Sequence, residues 1–430
     1  MSSRETLRSA MSPFSSGAFR SVWFAALSGN SGRFAVILVA GWEAFRQGHH
    51  SAIWPSLVSM LILLPTALFG LPSGGLADRF NRATQAAVGQ ALAAAATAGA
   101  ATCIFMHVAS LETTLAASTL VGVANSIQGP AWQALVPGLV GRDRMVSAAL
   151  STRIAQQGAE LVGPAVGTAI LTTVGPGWTF LACALFYALS VVMMLRAREH
   201  AFPGTRDGGA TIWNEVRDGV SYLRATAPLG LLFVWVTFHC CLTMATMGIL
   251  PTLATNNFGG SAGAYGLLMT AFGAGSILGP LVMLAIPGDG IRAGDVLWIT
   301  GVLSGAPLIV VGLSHLEWLA VAMECVAGIG QAVFMAVIYA SVQACAHDAV
   351  RGRIASIQLA STTGAMGLAS LGWGALAGGA SVGVVLAAPS ALFVLVCVLL
   401  TKKVSGLNRA VARHSLRTPA PLPVDGVQSI

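Results

Sequence analysis

Charge is what this sequence has least of. Only 9% of its 430 residues are Asp, Glu, Lys or Arg, while 55% are hydrophobic. A soluble globular domain carries about 25% charge, so a water-exposed globular fold is excluded. Lysine is nearly absent: Lys402 and Lys403, close to the C-terminus, are the only two, and arginine supplies the remaining positive charge. Cysteine builds neither a disulfide framework nor a zinc site, because the seven copies (103, 183, 240, 241, 325, 345 and 397) are odd in number and scattered through apolar runs. There is no Walker A loop, which argues against direct ATP coupling. His49-His50 is an isolated pair without metal-ligand spacing, so no metal is expected. Residues 1–19 lack an apolar h-region and a small-residue cleavage site, and no cleaved signal peptide is expected there.

What is present is a succession of long apolar runs. A membrane helix needs about 20 mostly apolar residues. Twelve segments meet that length, at 20–45, 52–73, 83–107, 111–131, 147–173, 177–196, 228–255, 262–286, 294–314, 317–343, 354–379 and 382–401. One connection is long and polar, 197–227. It divides the chain into an N-terminal bundle of six helices (20–196) and a C-terminal bundle of six (228–401), with a segment 1–19 before and a basic tail 402–430 after. Within the long connection, Ile212, Val216, Val220 and Leu223 fall on one stripe, which predicts an amphipathic helix lying on the membrane surface.

Arginine placement sets the orientation. With the N-terminus in the cytoplasm, the cytoplasmic side holds Arg79 and Arg82, Arg142 and Arg144, Arg196 with the four arginines of the central connection, Arg292, Arg351 and Arg353. The opposite side holds only Arg46. Both termini are therefore expected in the cytoplasm.

The stretch SGGLADRFNR (73–82) sits in the first of these loops. Positive-inside anchoring accounts for its arginines and a tight bend for its glycines, but neither accounts for Asp78. The pattern Gly74-x-Leu76-Ala77-Asp78-Arg79-x-x-Arg82 resembles the signature loop of the major facilitator superfamily, with Asn81 where a glycine is usual. The runs 129–151, 214–229 and 350–367 are similar to stretches of a bacterial efflux branch that includes enterobactin exporter-like and macrolide efflux proteins. ELVGPAVGT (160–168) resembles the glycine-proline motif of proton antiporters, with Thr168 in place of a final glycine. The resemblance implies an all-α membrane protein of the major facilitator fold. It also implies a conformational latch at Gly74, Asp78, Arg79 and Arg82, and a flexible, tightly packed seam between the bundles at Gly163, Pro164 and Gly167 of helix five.

Polar groups at membrane depth are costly and so mark function. At 1.5 Å per residue, Arg33 of helix one and Glu160 of helix five both lie near the midplane. The pair reads either as a structural ion pair or as a gated pair whose Glu160 takes up a coupling proton. Glu324 of helix ten has no basic neighbour in sequence. It reads as a proton-exchanging acid or as a cavity acid contacting a cationic substrate. Asn30, Asn125, Gln128, Trp235, His239 and Gln331 complete the candidate cavity, although a single buried His is more often simply hydrogen-bonded. Few fixed charges among aromatics suit an amphipathic organic molecule.

The expected function is thus proton-coupled export of a drug- or siderophore-like molecule across a bacterial inner membrane, without enzymatic chemistry and without a cofactor. An importer of a metabolite or lipid remains an alternative, as does a sensor or scaffold that kept the fold and lost transport. The expected partners are the lipid bilayer, a small-molecule substrate and protons, with no nucleic acid and a monomeric chain.

If Asp78 latches the cytoplasmic side against the positive N-terminal end of helix eleven, that contact is worth about 0.3–1 kcal/mol. Asp78→Asn is expected to lower outward-facing occupancy and slow transport at unchanged expression. Distances between spin labels on the cytoplasmic loops report it; an unchanged distribution with full transport leaves the loop only a topological role.

Overall fold

A computed structural model describes residues 12–79, 81–140, 145–198, 217, 221–223, 226–285, 293–347 and 350–415. Among them every regular element is helical. The N-terminal half holds α1 (Gly17–Gln47), α2 (Ile53–Arg79), α3 (Arg82–Phe105), α4 (Leu111–Leu139), α5 (Met145–Thr173) and α6 (Pro176–Ala197). The C-terminal half holds α7a (Ala227–Leu242), a 3-10 turn (Met244–Ile249), α7b (Leu250–Asn257), α8 (Ala262–Ala285), α9 (Ala293–Leu313), α10 (Glu317–Cys345), α11 (Arg351–Leu376) and α12 (Val382–Ser415).

Nine of the described helical stretches are long and apolar enough to cross a membrane, with helix seven taken whole. Helices α4, α5 and α11 are not among the nine although they have 29, 29 and 26 residues. Each carries polar residues at mid-length: Asn125, Ser126 and Gln128; Gln156, Gln157 and Glu160; Gln358, Ser361 and Thr362. Polar residues tolerated at such depth face protein or a water-filled space rather than lipid.

Three boundaries differ from the sequence reading. Segment seven is broken rather than continuous. The Thr243 hydroxyl donates to the His239 carbonyl at 2.7 Å and the Thr246 hydroxyl to the Thr243 carbonyl at 2.5 Å. Pro251, lacking an N–H, sits in the first turn of the outer piece, where none is needed. Helix two runs through most of the glycine-rich stretch to Arg79. Asn81 caps α3, its side-chain oxygen accepting from the backbone N–H groups of Ala83 (3.1 Å) and Thr84 (3.2 Å). That cap gives a local reason for asparagine where the family pattern has glycine. Helix twelve continues to Ser415, so the first part of the basic tail is helical, with Arg413 in its last turn. The amphipathic stripe at 211–225 falls mostly outside the described residues, as do the side chains of Asp78 and Arg79.

Packing within each half is dense. Two cores draw their fully buried residues from 19–197 alone, around Tyr187 and around Phe19, and a third from 223–397, around Trp235 and Phe334. Indole and hydroxyl groups tie neighbouring helices: Trp23 Nε1 donates to the Ser151 carbonyl (2.8 Å), Ser190 to the Ala25 carbonyl (2.9 Å) and Trp373 Nε1 to the Cys241 carbonyl (2.7 Å).

The halves meet through glycine-mediated contacts of α5 with α8 and of α2 with α11. A methyl group at Gly273 would strike the backbone of Glu160, one at Gly266 the side chain of Thr168, and one at Gly374 the Ser56 side chain (2.5 Å). Gly364 lies against Ala67 and Gly367 against Leu63. A fourth core spans both halves, joining Leu38 and Ala52 to Leu253, Tyr265 and Val385, with the Trp42 and Tyr265 rings stacked at 6.4 Å. These contacts gather toward the end of the molecule that holds the α1–α2 and α7b–α8 connections.

The two kinds of glycine contact predict different outcomes. Gly330 of α10 faces the Leu303–Ser304 backbone of α9, inside one half. Gly330→Val is expected to cost about 1–3 kcal/mol by overpacking, seen as a lower Tm of the purified protein. Gly273→Val lies between halves that can part. It is expected to spare Tm and to lengthen the distance between labels at Thr172 and Gly263, whereas equal losses of Tm would mean that the halves do not move independently.

Candidate functional site

Between the halves lies a polar cluster built on α1, α5, α8 and α10. Arg33 projects from α1, half-buried, with its guanidinium 4.7 Å over the Phe34 ring. Its Nε is buried without a hydrogen-bond partner, and it joins no ion pair within 4 Å. Glu160 of α5 is half-buried; its carboxyl interacts with the Ser276 side chain of α8 and lies in the electrostatic field of Arg33 and Arg153. One turn away, Gln157 Nε2 donates to the Ser276 carbonyl at 3.2 Å. Arg153 is exposed, donates to Gln156 Oε1 at 3.3 Å and stands 6.0 Å over the Tyr339 ring of α10. Tyr187 of α6 is fully buried, and its hydroxyl has no hydrogen-bond partner among the described residues.

The anticipated contact between Arg33 and Glu160 is therefore not made in this conformation. Across the interface, the Glu160 backbone packs on Gly273 of α8 and its carboxyl lies beside Ser276. The ion pair found among the described residues is instead Arg46–Glu43 at 2.8 Å, at the far end of α1, where Gln47 also donates to Glu43 at 3.1 Å.

Helix five also presents its motif differently from the expectation. A methyl at Gly163 would stand 2.5 Å from the Ser31 carbonyl, and one at Gly167 2.9 Å from the Leu38 side chain. Both glycines thus let α5 approach α1 inside the N-terminal half, with Pro164 accommodated within the helix. The face of α5 that meets the other half carries Gln157, Glu160 and Thr168.

Glu324 occupies a second place. It is 2% exposed, inside the C-terminal half, on a small closed cavity lined by Thr243, Thr246, Met247, Leu250, Phe272, Leu308 and Gln331. The cavity has room for about one water molecule. The two lining threonines spend their hydrogens on backbone carbonyls, and no hydrogen bond or ion pair reaches Glu324 among the described residues. The acid is thereby set against the break in helix seven, a juxtaposition invisible without the 3-10 turn.

The other candidates divide. Asn125 and Gln128 belong to one amide chain: Gln90 Nε2 donates to Gln128 Oε1, and Gln128 Nε2 donates to Asn125 Oδ1 at 2.7 Å. Gln90, on α3, went unnoticed in the sequence because a lone glutamine in an alanine-rich run carries no local signal. Asn30 bonds back to the Ala26 carbonyl at 2.9 Å. Trp235 and His239 lie in the C-terminal core rather than a cavity. The indole donates to Cys397 Sγ at 3.4 Å; the imidazole Nε2 pairs with Ser304 at 3.1 Å and stacks on Phe334 at 4.4 Å. Ser276 and Tyr187 were likewise missed. No group of three His, Cys, Asp or Glu side chains that would hold a metal ion occurs among the described residues.

Comparison with known proteins places this arrangement. Among curated proteins, the staphyloferrin A transporter of Staphylococcus aureus (strain NCTC 8325 / PS 47) is 21% identical over 238 residues, 55% of this chain; the chain spans 59% of the length of that relative. Among solved structures, a POT family transporter in complex with 5-aminolevulinic acid superposes with a TM-score of 0.75 at 10% identity, covering 91% of this chain and 97% of that one. A bacterial homologue of the human lysosomal transporter Spinster, in an inward-facing and unoccupied conformation, does so with a TM-score of 0.63 at 15% identity, covering 94% and 98%. These likenesses fix the fold as that of the major facilitator superfamily. The family model described as transmembrane secretion effector matches residues 8–425, and the chain belongs to that family of major facilitator transporters.

Proposed function

We propose that this protein is a proton-coupled exporter of a small amphipathic organic molecule, drug- or siderophore-like, working by alternating access as a monomer in a bacterial inner membrane. It crosses the bilayer twelve times with both termini cytoplasmic. The family's description as a secretion effector supports the outward direction, and the staphyloferrin A transporter relative supports a siderophore-like cargo. The arginine distribution supports the orientation. In that orientation the contacts between halves lie on the outer side, and the polar cluster of Arg33, Glu160 and Arg153 lies inward of them, as in a carrier closed to the outside. Asp78 with Gly74, Arg79 and Arg82 would then latch the opposite, cytoplasmic side in the other state.

The observation that carries the coupling is Glu324 in its closed cavity. An ionised carboxylate with no donor is costly in such a place, and a protonated one costs far less. The wall of that cavity is the broken stretch of helix seven, whose Gly248 rests against Ser56 of α2 and Ser370 of α11 at the contact between halves. When that contact opens, helix seven shifts, water reaches the carboxyl, and the proton leaves. A proton shifts a conformational equilibrium only by its different affinity for the two states, and this geometry supplies such a difference.

The test uses everted membrane vesicles, an imposed pH gradient and a panel of amphipathic dyes. The wild type is expected to accumulate one or more dyes against their gradient. Glu324→Gln is expected to bind dye and exchange it down its own gradient, with gradient-driven accumulation lost. Accumulation retained in Glu324→Gln would pass the role to Glu160.

A further inference from the structure

We infer that the transported molecule carries an oxyanion, a carboxylate first of all, and that the guanidinium groups of Arg33 and Arg153 receive it between the two halves; the inference rests on the transport reading above. The cluster holds two guanidinium groups and one carboxylate. That carboxylate, Glu160, lies beside Ser276 and makes no ion pair within 4 Å among the described residues. Neutralising Glu160 needs one arginine, so the second positive charge has no internal counterpart.

Neither arginine is in contact with an acid. Arg33 has no hydrogen bond, and its Nε is buried and unpartnered; buried donors left unfilled cost about 1–3 kcal/mol, more for charged groups. Arg153 gives one bond to a neutral amide, at 3.3 Å. Each guanidinium lies over an aromatic ring, Phe34 at 4.7 Å and Tyr339 at 6.0 Å. A ring under the face of a guanidinium steadies it while leaving the in-plane N–H fork free, and that fork matches a carboxylate.

Position adds to the argument. Arg33 stands on α1 and Arg153 on α5, while Tyr339 belongs to α10 of the other half, so a molecule bound there touches both halves. The Phe34 and Tyr339 rings offer surface to an apolar or aromatic body beside the anionic group. If the two arginines served only to balance Glu160, the site would be neutral with either one removed, and an anion would gain nothing from entering.

The experiment uses the purified full-length chain in liposomes and three probes: naphthoate, its neutral methyl ester and the lipophilic cation tetraphenylphosphonium. Naphthoate is expected to bind saturably and to exchange across the membrane, in preference to the other two. Arg33→Gln and Arg153→Gln are each expected to weaken naphthoate binding by roughly 10- to 100-fold, the loss that follows removal of a hydrogen bond between charged groups. Arg153 is exposed, so its variant keeps the test decisive if Arg33→Gln does not fold. Binding of naphthoate unchanged in Arg153→Gln, or preference for the ester or the cation, overturns the inference while leaving transport standing. Failure to carry any of these probes or any dye of the earlier panel overturns the transport reading itself.

Discussion

The price of an unpartnered polar group in hydrocarbon governs this molecule. A water-filled or protein-lined place must be found for each charge at membrane depth, and the fold offers two. One is the seam between halves, where Arg33, Glu160 and Arg153 come together from α1 and α5 against α8 and α10. The other is the closed cavity inside the C-terminal half, where Glu324 is walled by the break in helix seven. Lipid-facing surfaces are left to leucine, valine and phenylalanine, such as Leu185, Val234 and Leu395.

Close approach of backbones does the rest. Glycines set α5 on α1, α5 on α8, α2 on α11 and α9 on α10. Without a hydrophobic drive between helices in lipid, such contacts rest on van der Waals packing and on hydroxyl or amide bonds to carbonyls. The contacts inside each half are joined by buried aromatic cores. Those between halves run along α5–α8 and α2–α11 and are joined at one end by the fourth core. A rocking motion that exchanges which end is closed needs only the second kind to separate.

Much of the fold was legible in the sequence because its signals are long. Apolar runs of 20 residues survive any local irregularity. The motif around Asp78 announced the superfamily, and the family model bears this out. What the sequence hid was sidedness within a helix. Gly163 and Gly167 look alike from the chain, and only packing shows that they serve α1 while Glu160 and Thr168 serve α8. Trp235 and His239 look like cavity residues until Phe334, Phe393 and Ser304 are seen around them. The partner of Glu160 could not be read either: Ser276 is one serine among many, on a helix more than a hundred residues away.

Helix twelve has 34 residues, which at 1.5 Å each makes a rod about 50 Å long. The hydrocarbon layer accounts for about 30 Å of it. The remainder is a stiff basic stalk ending near Ser415, with Lys402, Lys403, Arg409 and Arg413 along it. Such a stalk is long enough to pass through the layer of lipid headgroups before it ends. It also sets a minimum reach: by Ser415 the helix has carried the chain about two nanometres clear of the apolar layer.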